Sequence, residues 1–373
     1  MPAQDVVLVT GCPSLLGRNV CEEVLRTDAQ AHVYALVRPS LIQEARTSFD
    51  EMPAAARERM DLIEGDAAAL DMGLSGAEFR SLAREVTRIH LCAELNHIGV
   101  DLKTAEHVNV GGAQEAIELA THCDKLDCLV LHSTAHVSGD RTGLVLEEDL
   151  KAGQSFRNVV EETKARAEKL MRDAMQRLPI AVLRPATIVG DSRTGEVDRF
   201  DGPYLLILLV VASPPDLALP LPGRGDEPLN LVPVDWVARA SVAIGRDPHA
   251  PGRTFHLVDS HPLSTRQVFE IVARAGGRRG PRGSIPANLA KAILRAPGLE
   301  RIAKSPRAFL ETLTTRVTYD ARNAEELLAS ADIGPCPPLE TYVDTLVEYV
   351  QERVRRRRET KQTTPVEIED PLV

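Results

Sequence analysis

Short apolar runs alternate with stretches of helical period through the first half of the chain. Val6–Thr10 reads as a first strand and Leu16–Arg26 as the helix after it. Further strands are expected at His32–Val37, Leu62–Asp66, Arg88–Ala93, Cys128–Thr134 and Ile180–Leu183. Helical patterns fill the gaps, as at Gln114–Leu119 and Val159–Met175. Strands that alternate with helices pair in parallel through right-handed crossovers, which predicts an α/β fold built on a doubly wound parallel sheet.

After Gly190 the pattern changes. Prolines become frequent (Pro203, Pro214, Pro215, Pro220, Pro222, Pro228, Pro233), and helical periods return at Val234–Ile244, Ser264–Ala275 and Ala287–Leu294. A last helix carries Leu339, Val343, Leu346, Val350 and Val354 on one face and ends in Arg355–Arg358, cations that suit the negative end of a helix dipole. The segment from 359 to 373 reads as a disordered tail.

Composition narrows the class. Apolar residues make up 43% of 373, but aromatics only 3%, so the core is aliphatic, as suits a parallel sheet between helices. A net charge of −10 argues against a nucleic-acid-binding surface. The six cysteines form no C-x-x-C pair and read as free thiols of a reducing compartment. The chain runs straight into its first strand, and the apolar run Tyr204–Ala212 is too short to span a bilayer. A cytoplasmic protein is the expectation. Ten scattered histidines without H-E-x-x-H give no metal site, and the Ser133/His136 pair lacks a nucleophile elbow.

The first strand-to-helix turn carries the chemistry. It reads Thr10-Gly11-Cys12-Pro13-Ser14-Leu15-Leu16-Gly17. Gly11 allows the sharp turn, Gly17 lets the helix lie close to the sheet, and the free amides at the helix start face a pyrophosphate. Ser14 stands where the usual pattern has its middle glycine, and its Cβ narrows the approach. The second strand ends in Arg38, where an acidic residue would bind the ribose hydroxyls of NAD. A forked cation there favours the 2′-phosphate of NADP(H) over NAD(H). Residues 1–190 are therefore the expected Rossmann-type nucleotide-binding domain. Residues 191–358 are the smaller mixed α/β substrate lobe with the C-terminal helix.

These segments, taken in order, resemble an extended short-chain dehydrogenase/reductase of the thioester-reductase and fatty-acyl-reductase branch, the male sterility type of NAD-binding domain. The resemblance rests on TGCPSLLG (Thr10–Gly17), LVR (Leu36–Arg38), GD (Gly65–Asp66), HLCAE (His90–Glu94) and NVGG (Asn109–Gly112). It continues through STAHVSG (Ser133–Gly139), TKARAE (Thr163–Glu168), RPATIVGDSRTGE (Arg184–Glu196), FDGPY (Phe200–Tyr204) and VPVDWVA (Val232–Ala238). It implies that Asp66 contacts the adenine, Ala93 lies beside the nicotinamide ribose, Lys164 bonds that ribose and Pro185 flanks the nicotinamide. Thr134 would polarise the substrate carbonyl. With Thr10, Gly11, Ser14, Leu15, Leu16, Gly17 and Arg38 these residues make the expected cofactor site.

The chain departs from the pattern of this branch at one point. The general acid of the family is a tyrosine four residues before the lysine, and this chain has Val160. His136, two residues beyond Thr134 and on the same face if the strand continues, is the expected substitute, with an ordered water as the other donor. His132 reads as core, Glu161 and Glu162 as the solvent side of their helix, and Asp235 as a helix cap. The apolar run after Asp201-Gly202-Pro203 reads either as core or as a cover for a hydrophobic acyl or carbonyl substrate. The basic loop Arg274, Arg278, Arg279 and Arg282 is either solvated or a contact for coenzyme A or a carrier-protein thioester. Three functions follow: an NADP(H)-dependent oxidoreductase, a nucleotide-binding sensor or scaffold without turnover, and a redox-neutral lyase or epimerase. A homo-oligomer is left open.

Overall fold

A computed structural model describes residues 4–95, 99–200, 202–212, 221–222, 224–285 and 316–363. Seven strands form one parallel sheet: β1 Val6–Cys12, β2 His32–Val37, β3 Met60–Glu64, β4 Arg88–Leu91, β5 Cys128–His132, β6 Ile180–Pro185 and β7 Thr254–Leu257. Their order across the sheet is β7-β6-β5-β4-β1-β2-β3. The chain winds outward from β1 in one direction, then returns to β1 and winds the other way. The crevice between β1 and β4 is the switch point at which such sheets bind ligands. Among the described residues no helix is long and apolar enough to cross a membrane.

Alternation within the strands feeds two cores. Val7 and Val9 point to one face with Val20, Val24 and Ala238, while Leu8 joins Ile89, Leu91, Leu129 and Leu131 on the other. All are nearly inaccessible to solvent, which is why these strands read as continuous apolar runs. Helix α1 (Leu15–Thr27) covers the first face. The second is covered by α2 (Gly112–His122) and α3 (Val159–Ala174), which contributes Ala167, Met171 and Ala174. Helices α4 (Pro203–Ala212), α5 (Val234–Arg246), α6 (Thr265–Ala275) and α7 (Val343–Thr363) come from the second half.

The division expected at residue 190 follows the chain but not the sheet. β7 pairs with β6, and α5 packs against α1 on the same face. Phe255 and Leu257 of β7 join Val130, Leu183 and Trp236 in one cluster. The short sequence Thr254-Phe255-His256-Leu257, with a histidine in its centre, gives no strand signal. The apolar run Tyr204–Ala212 is the buried helix α4, whose Tyr204, Ile207 and Val210 pack with Phe269 of α6 and Leu346 of α7. Core packing, rather than an open cover, is thus what its described side chains do. Helix α7 continues to Thr363, because the residues after Arg358 are ordinary helix formers with no stop signal. Residues 364–373 and the helix expected at Ala287–Leu294 lie outside the described residues.

Candidate active site

The first turn forms as its glycines require. Gly11 has φ +83°, and a Cβ there would stand 2.6 Å from the carbonyl of Cys92. β1 can approach the end of β4 this closely only with glycine. The contact is closed by the Ala93 amide, which donates to Thr10 Oγ1 at 3.1 Å. Ser14 is the N-cap of α1, its Oγ accepting from the Gly17 amide at 3.3 Å. Its side chain thus spends itself on the helix rather than on a ligand. The next amide, that of Leu15, donates to Asp198 Oδ2 at 2.8 Å. Asp198 is far away in sequence, and nothing in the motif foretells it.

Arg38 is exposed just beyond β2, with its guanidinium outside every ion pair found among the described residues. Asp66 lies past the end of β3, not on it, and accepts from the Ala68 amide at 3.0 Å. β4 likewise ends at Leu91, so Ala93 and Glu94 sit in the loop above the sheet edge. Asn109, in the π-turn Glu106–Gly111, fixes that loop. It accepts from the Leu95 amide at 2.8 Å and donates to Thr163 Oγ1 at 2.9 Å.

Lys164 projects from α3 toward the same loop and forms an ion pair with Glu94. Their side chains are only 4% and 6% exposed. Burial pushes the Glu94 carboxyl up to about 7 against the pull of Lys164. Val160 is buried one turn before Lys164, at the position of the missing phenol. Glu94 is visible in the sequence, but its pairing joins residues seventy positions apart and leaves no local signal.

β5 ends at His132, and Ala135–Ser138 is a 3₁₀ turn capped by Thr134, whose Oγ1 accepts from the His136 amide at 3.3 Å. Thr134 and His136 therefore do not share a strand face, contrary to the expectation. The Thr134 hydroxyl donates to Pro185 O at a long 3.5 Å, which leaves it weakly engaged. His136 Nε2 lies 3.1 Å from Thr187 Oγ1, and the ring lines a small cleft with Arg157, Asn230, Val317 and Tyr319. Burial, reinforced by the Arg157 and Lys164 charges, lowers His136 to about 4. The imidazole is neutral at pH 7, so the imidazolium expected as proton donor is scarcely populated.

Other expectations are corrected by packing. Glu161 is buried, accepting from the Arg157 amide at 3.0 Å, and so does not face solvent. Asp235 does not cap its own helix. It accepts from the Ser192 amide and hydroxyl, both at 2.9 Å, and so anchors the loop after β6. Arg278 of the basic loop donates to the carbonyls of Val210 and Val211 at the end of α4. His132 is core, 3.3 Å from His90. Tyr319, brought into the cleft by a strand at Val317–Tyr319 that pairs with Gly143–Val145, has no signal in the sequence. Its hydroxyl lies 3.3 Å from Ser138 Oγ.

Beneath the site a buried network holds β5, β6 and α3 together. Glu168 pairs with Arg184 at 2.7 Å and with Arg172 at 2.8 Å, and it accepts from Ser133 Oγ at 2.8 Å. Arg184 and Glu168 are essentially inaccessible. Burial raises the Glu168 carboxyl, but Arg184, Arg172 and Ser133 together outweigh it and the net shift is downward.

Comparison with known proteins agrees with this geometry. The profile of the male sterility protein family, an NAD-binding domain, matches residues 9–241. A linear gramicidin synthase polypeptide of Brevibacillus parabrevis is 28% identical over 290 residues, covering 74% of this chain and 6% of that protein. The fatty acyl-CoA reductase wat of Drosophila melanogaster is 25% identical over 281 residues, covering 65% of this chain and 54% of its own length. The chain thus spans about half or less of these relatives. The terminal R domain of the myxalamid PKS-NRPS pathway superposes with a TM-score of 0.81 at 25% identity, over 95% of this chain and 92% of that one. The R domain of a nonribosomal peptide synthetase from Mycobacterium tuberculosis gives 0.72 at 22% identity, over 94% and 92%. The glycine turn, the seven-strand order and the family match agree: the chain belongs to the male sterility family of NAD-binding domains, within the extended short-chain dehydrogenase/reductases.

Proposed function

We propose that the chain binds a nicotinamide dinucleotide, NADP(H) in preference to NAD(H), and reduces the carbonyl of an acyl thioester, aldehyde or ketone. The observation that carries this reading is a convergence. Thr10, Gly11 and Ala93, the Lys164–Glu94 pair, Thr134 and Pro185 all gather at the carboxyl ends of β1, β4, β5 and β6. The amides of Leu15 and Leu16 would hold the pyrophosphate, Arg38 the 2′-phosphate, Asp66 the adenine and Lys164 the nicotinamide ribose. Bound there, the dinucleotide supplies hydride to a carbonyl carbon.

The chain's own residues do the rest. Thr134 Oγ–H, only weakly engaged by Pro185 O, orients the carbonyl oxygen. The proton comes from the Lys164–Glu94 pair in place of a phenol. With Glu94 near 7 the pair holds an exchangeable proton at neutral pH, which is what a general acid requires. His136, neutral and bonded to Thr187, serves as a wall of the cleft. An acyl thioester substrate, on coenzyme A or on a carrier protein, fits the named activity of the fatty acyl-CoA reductase relative.

The test is calorimetry with NADPH and NADH, followed by loss of reduced-nicotinamide absorbance with a panel of acyl-CoAs and aldehydes. Binding without any oxidation would favour the second reading, a cofactor-binding protein without turnover, to which Val160 and the neutral His136 point.

A further inference from the structure

The loop after β6 reaches back to the start of α1. Its base is tightly held: the Asp191 carboxylate accepts from the Arg193 and Thr194 amides at 2.8 and 3.0 Å, and Ser192 is bound by Asp235. Gly195, at φ +73°, lies against Thr345 and Tyr349 of α7. Beyond that base, two acidic side chains meet the first turn of α1. Asp198 Oδ2 takes the Leu15 amide at 2.8 Å, and Glu196 Oε1 takes the Arg18 guanidinium at 2.6 Å. Arg18 also donates to Pro13 O at 3.1 Å.

A helix start attracts one anionic group, because its free amides and its dipole point the same way. Two anions cannot use one amide, and they repel each other. Asp198 is exposed as a residue, while burial of its carboxyl at the helix start raises its pKa, so its departure returns a partly desolvated group to water. The anchored base means that only the tip has to move.

We infer that Asp198 is an internal competitor for the cofactor: its carboxylate occupies the seat of a pyrophosphate oxygen on the Leu15 amide, so each binding event exchanges one anion for another. This rests on the cofactor reading above and adds a determinant of affinity to it. Apparent affinity falls by the fraction of molecules in which the seat is open. Removing the carboxylate therefore tightens binding, and the Glu196–Arg18 pair opens with it when cofactor enters.

The experiment is calorimetry of NADPH binding to the full chain as wild type, Asp198→Asn and Asp198→Ala, with hydrogen exchange of residues 14–18 and 194–200 with and without NADPH. The expected order of affinity is Ala, then Asn, then wild type, with Ala about 10- to 100-fold tighter than wild type, the loss of one charged hydrogen bond and one repulsion. Cofactor should protect 14–18 and deprotect 194–200. Equal affinities, or weaker binding by Asp198→Ala, would overturn the inference while leaving the cofactor reading intact. No binding by any of the three would remove the cofactor reading, and this inference with it. An exposed Asp→Ala change carries little folding risk, and a matched melting curve verifies that.

Discussion

Replacing Glu94 by glutamine should make the protein more stable above neutral pH and leave it unchanged near pH 4. Glutamine keeps the shape of the protonated carboxyl and removes its titration. In the folded chain Glu94 titrates near 7, against 4.5 when free. Each pH unit of that difference is worth about 1.4 kcal/mol, so the ionised carboxylate costs the fold about 3 kcal/mol. The sign follows from proton counting. Between pH 4.5 and 7 the folded state holds more protons than the unfolded one, so wild-type stability falls as pH rises through that window. The physical cause is that taking a carboxylate and an ammonium out of water costs more than their attraction returns. Urea unfolding of wild type and Glu94→Gln at about pH 5, 6, 7 and 8 isolates this group, since other titrations cancel in the difference. The difference should grow by about 3 kcal/mol in favour of glutamine across the series. A flat difference, or a glutamine variant that grows less stable toward pH 8, would refute the reasoning. It would mean that Lys164 holds Glu94 ionised throughout, and that the pair stores no proton at neutral pH.

Other outcomes are equally open to measurement. Gly11→Ala should cost about 2–3 kcal/mol by denaturant melts and abolish NADPH binding, since the backbone is strained for any Cβ and its methyl meets the Cys92 carbonyl. Arg38→Ala should weaken NADPH about tenfold or more in calorimetry and leave NADH unchanged, because only the 2′-phosphate would use the guanidinium. Glu168→Gln should destabilise by about 3–5 kcal/mol, as it strips the buried Arg184 of its counter-charge. Because Glu168 titrates below its ordinary value, the stability it contributes is present above pH 4.5 and lost on acidification, so the penalty should shrink as pH falls below 4.5.

Much of this architecture is legible in the primary chain, and the gaps have identifiable causes. β1 and β5 are largely buried on both faces, so unbroken apolar runs such as Val6–Val9 announce them. Gly11 announces the turn because no other residue satisfies its geometry, and Gly17 because a side chain there would crowd Cys12. β7 gives no such announcement because it is four residues long and carries His256, buried against Arg184 and the Asp320 carbonyl. The extended path expected from Thr134 to His136 fails because the Thr134 hydroxyl offers the His136 amide a local partner that begins a 3₁₀ turn. The Lys164–Glu94 and Asp198–Leu15 contacts join residues 70 and 183 positions apart, and no period or motif encodes such meetings. The tyrosine's absence at Val160 is plain from the sequence; what stands in its neighbourhood is not.

The closure of the sheet by β7 sets a rule for cutting or splicing this chain. A fragment stopping at residue 190 would leave β6 as a raw edge of unpaired amides and would strip from α1 the apolar flank of α5. Such a fragment would aggregate rather than hold a ligand. The nucleotide half therefore draws its last strand and one covering helix from beyond residue 190, and any graft that moves the cradle to a new host must carry the sequence through Leu257 with it.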